Sequence, residues 1–103
     1  MGILKFLDTN EIEEFAKTLA NDLGRRFPPA SESRTDTGSI TQLKVILDGL
    51  AARAQRFHGE HKLGVYKKAK LGNTFRWRLK ELGYTESFCE RATRHIVVQI
   101  AVK

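Results

Sequence analysis

The chain has 103 residues, of which 41% are hydrophobic and 29% charged, and its 18 lysines and arginines against 12 acidic side chains leave a net charge of +6. That balance excludes a disordered chain, and the length suffices for one domain with a buried core and no structural metal. The single cysteine, Cys89, excludes an internal disulfide and suits a reducing, cytoplasmic setting.

The opening "MGILKFLDTNEIEEF" turns acidic after seven residues and lacks the apolar stretch and cleavage site of a signal peptide. No apolar run approaches the roughly 18 residues of a membrane span. The first helix is announced by Asp8, Thr9 and Asn10, each able to cap its start, and by Glu11, Glu13 and Glu14 at the positive end of the dipole. Ile12, Phe15, Ala16, Leu19 and Leu23 then recur at three and four residues and form one apolar stripe. Gly24 is the expected left-handed C-cap.

Residues 25–39, "RRFPPASESRTDTGS", read as a long, flexible Pro/Ser-rich loop or linker, because two prolines stop a helix and the remainder favours turns. Ser39 is the expected cap of a second helix. Ile40, Leu43, Ile46, Leu47, Leu50, Ala51, Ala54 and Phe57 fall within an arc of about 140° at helical pitch. Gly49 weakens that helix by roughly 1 kcal/mol relative to alanine, and Gly59 is a plausible stop.

A third helix is expected from Lys62 to Leu82 with Gly83 as its C-cap, although Gly72-Asn73 also permits two shorter helices. Its core side would run through Val65, Ala69, Gly72, Phe75, Leu79 and Leu82. Thr85 or Ser87 caps a fourth helix, and Ser87 with Glu90 has capping-box spacing. Phe88, Ala92, Ile96 and Ile100 give that helix a core face. The ending "IVVQIAV" is compatible with a buried helix, a short strand or a subunit contact. The expected fold is therefore all-α: a single small domain over residues 1–103, with about four helices and a long loop after the first.

Charge is unevenly placed. Residues 1–39 hold five basic and seven acidic side chains; residues 40–103 hold thirteen basic and five acidic. Lys62 to Lys80 contains seven basic residues and no acid. Within it, Tyr66, Lys70, Asn73, Trp77 and Lys80 follow the four-three spacing of one helix face, away from the expected core side. Aromatic faces there would stack on exposed bases while Lys67, Lys68, Lys70, Arg76, Arg78 and Lys80 neutralise phosphates, a combination suited to single-stranded DNA or RNA. The bland reading is that Tyr66 and Trp77 form a second buried face and the lysine and arginine stems lie across apolar surface with their charges in water.

Other chemistry finds less support. A helix-turn-helix around Gly83-Tyr84 would place Glu86 and Glu90 against phosphate. His58 and His61 in "FHGEH" lack the companion ligands of a metal site and read as surface histidines. Cys89 fits a small core residue as well as a thiol at a helix start. No phosphate loop, nucleophile elbow or close acidic pair is present, so no enzyme, metal, cofactor or small-molecule substrate is expected. The sequence thus favours a non-enzymatic, weakly sequence-specific nucleic-acid-binding module. The rival is a protein-interaction or self-associating module using the apolar segment 96–102, through Ile96, Val97, Val98 and Ile100.

Overall fold

Each apolar stripe becomes one helix, and Lys62 and Gly83 end the second and the third. The computed structural model describes residues 2–101, and the side chains of residues 10–101. Helix α1 spans Gly2–Arg26, α2 Thr37–His61, α3 Val65–Leu82 and α4 Glu86–Ala101; there is no strand among the described residues.

Helix α1 starts upstream of the expected caps, so Asp8, Thr9 and Asn10 lie within it. A cap is worth about 1 kcal/mol, less than a continuing hydrogen-bond ladder supplies. Gly24 does not stop it either: the Phe27 amide still donates to the Leu23 carbonyl at 2.8 Å. Gly24 instead permits close packing, since a Cβ there would lie 3.2 Å from Leu82 Cδ1.

The long loop expected over 25–39 is not formed. Helix α1 takes its first two residues, and a short 3-10 helix occupies Pro29–Ser33, its φ angles favoured by the prolines. Asp36 then caps α2, accepting from the Ser39 amide at 3.0 Å and the Ser39 hydroxyl at 2.9 Å. Ser39 is therefore a buried residue of the first turn and not the cap. The segment is anchored by Phe27, buried and stacked on Phe88 with ring centroids 6.2 Å apart.

Helix α2 runs past Gly59 to His61. Lys62, in the left-handed conformation at φ 51°, ends it, and His58 Nδ1 accepts the Leu63 amide at 3.1 Å. Helix α3 begins at Val65 and is continuous through Gly72-Asn73, and Gly83 at φ 112° is its C-cap, as expected. Its core stripe is rotated from the expected one: Leu71, Gly72, Phe75 and Leu79 are buried, Ala69 is exposed, and Val65 is 86% exposed. Helix α4 is capped by Thr85, whose hydroxyl accepts the Phe88 amide at 3.2 Å. Phe88, Ala92, Ile96 and Ile100 are buried on it as expected, and it stays helical to Ala101; Val102 lies outside the described residues.

The described residues form a compact all-helical domain of four α-helices. Helix α3 packs between α1 and α4, and α4 between α3 and α2. Phe15 of α1 stacks on Phe57 of α2 with centroids 4.0 Å apart. Leu19, Leu50, Leu71, Phe75 and Ile96 sit fully buried in one shared core, each such side chain worth about 1.5–3 kcal/mol on burial. No described helix is long and apolar enough to cross a membrane.

Candidate nucleic-acid interface

Because α1 and α4 cover the Leu71–Phe75–Leu79 side of α3, the opposite side faces outward. Tyr66 is 70% exposed and Trp77 50% exposed, with Asn73 exposed between them. The two rings are thus not part of a second buried face. Eleven residues at 1.5 Å rise place them about 16 Å apart along the helix axis. The Arg76 guanidinium carbon lies 5.5 Å, and the Lys80 ammonium 5.4 Å, from the Trp77 ring centroid, within cation–π range.

The cations are not brought onto one face. Arg76, Lys80 and Lys70 flank the aromatic row. Arg78 turns to α1, its Nε donating to Asn21 Oδ1 at 2.9 Å and its Nη1 to Glu81 Oε1 at 3.1 Å. Lys67 lines a small recess with Glu11, Ile12, Phe57, His61 and Leu63. Lys68 lines a groove between α3 and α4 with Gly72, Arg76, Thr93 and Val97. The eight residues expected to act together therefore divide into an outward group and two flanks.

Acid groups absent from the 62–80 stretch arrive from elsewhere in the fold. Lys70 Nζ pairs with Glu13 Oε2 of α1 at 2.9 Å, and that bond, followed by the charge of Glu13, raises the Lys70 pKa. Glu86, at the start of α4, takes Lys80 Nζ at 2.9 Å and Arg76 Nη1 at 3.3 Å. The Lys80 bond and charge, with Arg76 assisting, hold the Glu86 carboxyl below its ordinary value. These partners could not be read from local spacing, because Glu13 stands 57 residues before Lys70 and Glu86 lies across the α3–α4 turn. The α3–α4 pair nevertheless stays strongly basic: residues 62–101 carry nine lysines and arginines against three glutamates.

The apolar segment of the rival reading is largely spent inside the molecule. Ile96 and Ile100 are buried in the core, and Val97 lies against Gly72, where a Cβ would stand 2.8 Å from Val97 Cγ2. Of Ile96, Val97, Val98 and Ile100, Val98 is the most exposed, at 47%.

The remaining reactive side chains have structural partners. Cys89 is buried, its thiol 3.9 Å from the Tyr84 carbonyl, and desolvation pushes its pKa up. His61 packs on Phe57 with centroids 4.2 Å apart, and His95 Nε2 lies 2.7 Å from Asp48 Oδ1, joining α4 to α2. Among the described residues no three His, Cys, Asp or Glu side chains converge as a metal site would require. No family model, curated protein or solved structure matches the chain, so its outward face is read from its own geometry.

Proposed function

We propose that the chain is a non-enzymatic binding module that takes single-stranded DNA or RNA along the outward face of α3, with weak sequence preference. The observation that carries this reading is Trp77: its indole is half exposed, with Arg76 and Lys80 beside it. A base stacks on the indole while neighbouring phosphates meet the two cations, and Tyr66 offers a second ring three turns away. The basic excess of residues 62–101 supplies the long-range attraction. Asn73 is the one amide on this row, and few groups there suit reading a base edge, so phosphate and stacking contacts dominate.

The test is a polarisation titration of a labelled oligonucleotide across a salt series. Affinity is expected to fall steeply with salt, and Trp77→Ala to lose about 1–3 kcal/mol of binding with the helical signal intact. Absence of binding at low salt removes the proposal. Lys70 is unsuited to charge reversal here, because a glutamate at that position would face Glu13.

A second reading follows from the ion pairs. With Lys70, Arg76 and Lys80 engaged by glutamates, the row Tyr66, Ala69, Asn73 and Trp77 is neutral and aromatic, as protein-docking surfaces are. Sedimentation separates the self-associating form of this alternative: a dimer lost in Trp77→Ala but kept in Val98→Asp would favour it.

A further inference from the structure

We infer that Glu86 is an intramolecular competitor for the anion site beside Trp77, so that a phosphodiester must displace it before Arg76 and Lys80 can bind the strand. This rests on the nucleic-acid reading above. One carboxylate engages both cations, Oε1 with Lys80 Nζ at 2.9 Å and Oε2 with Arg76 Nη1 at 3.3 Å. Both cations stand within 5.5 Å of the Trp77 ring centroid. The geometry is that of an occupied anion site with an indole at its side, the occupant being the protein's own side chain.

The occupant is able to leave. Glu86 is exposed, and its two pairs are surface contacts that solvent and salt screen. Its release opens no core, since the first buried residue of α4 is Phe88. Tethered to α4, it nevertheless competes at a high effective concentration, which a single free anion does not match. A strand offers several phosphates to the same basic surface and prevails where one anion fails.

The experiment compares the full chain with Glu86→Gln, Glu86→Ala and Glu90→Gln in the oligonucleotide titration, with thermal melts confirming the fold. Glu90 lies one turn further along α4, is exposed and has no ion pair among the described residues, so E90Q makes the same change of net charge without touching Arg76 or Lys80. E86Q and E86A are expected to bind about threefold more tightly than the parent, the size of one surface ion pair. Their salt dependence steepens, because the freed cations now release counterions on binding. E90Q is expected to change affinity by less than half as much. Equal effects of E86Q and E90Q would overturn the inference and leave the nucleic-acid reading standing. No binding by parent or E86Q at low salt would remove both.

Discussion

The Glu32 carboxylate accepts the Thr85 backbone N–H at 3.0 Å, joining residues 53 positions apart. The other carboxylate oxygen accepts the Thr85 hydroxyl, which in turn accepts the Phe88 amide. A side chain of the 3-10 helix thereby completes the start of α4 and fixes the segment between α1 and α2 against the α3–α4 turn. Glu32→Ala is expected to lower unfolding stability by about 1 kcal/mol, the value of a helix cap. It should also make residues 25–36 more open to limited proteolysis. A variant as stable and as protease-resistant as the parent would show that the Glu32–Thr85 contact does not hold the segment.

Tyr84 makes the second tie. Its hydroxyl donates to the Phe27 carbonyl, and its ring stacks on Phe88 with centroids 4.5 Å apart. Burial, helped by the charge of Glu32, pushes the phenol from 10.0 up to about 12. The folded state thus holds this proton more tightly than the unfolded chain does. The contribution is complete below pH 10 and declines as pH rises towards about 12. Tyr84→Phe is expected to cost about 1–1.5 kcal/mol at neutral pH by removing the bond. Between pH 10 and 12 the parent loses stability faster than Y84F, and the difference between them closes. Lys70 also destabilises the fold at high pH, but it is common to both proteins and cancels in the comparison. A constant difference across this window would show that the phenol is not protected.

The parts of this fold visible in the sequence are those decided within one helix. The stripe from Ile40 to Phe57 and the face Phe88–Ala92–Ile96–Ile100 repeat at the helical period; the second is buried throughout, and the first is buried or partly buried from Leu43 onward, while Ile40 is 54% exposed. What the sequence hides is decided between helices. The caps at Asp8–Asn10 and Ser39 were plausible locally, but each is a contribution of about 1 kcal/mol that the continuing ladder or Asp36 overrides. The loop over 25–39 looked unstructured because its anchors, Tyr84 and Thr85, lie more than fifty residues away. The spacing of Tyr66, Asn73 and Trp77 places them on one helix face but leaves open whether that face is packed or exposed; the arrangement of α1 and α4 on the other side of α3 leaves it exposed. The neutralisation of its flanking cations was not legible, since Glu13 and Glu86 belong to α1 and α4.

Two mid-helix glycines test how closely α3 and α4 meet. Both sit in helix interiors, where alanine is worth up to about 1 kcal/mol more than glycine. At Gly49 an added Cβ meets nothing within 4 Å, so Gly49→Ala is expected to stabilise the protein by about 0.5–1 kcal/mol. At Gly72 the added Cβ would stand 2.8 Å from Val97 Cγ2, a distance at which something must shift. Val97 is β-branched and its rotamer in a helix is restricted, so the strain falls on the separation of the two helices. Overpacking of this kind costs about 1–3 kcal/mol and outweighs the helical gain, so Gly72→Ala is expected to destabilise. Adding Val97→Ala removes the clashing methyl. The pair of substitutions should therefore be less damaging than the sum of the two singles, a coupling that urea unfolding of the four proteins measures. Gly72→Ala stabilising the fold as Gly49→Ala does would mean that α3 and α4 stand further apart than the contact at Val97 requires.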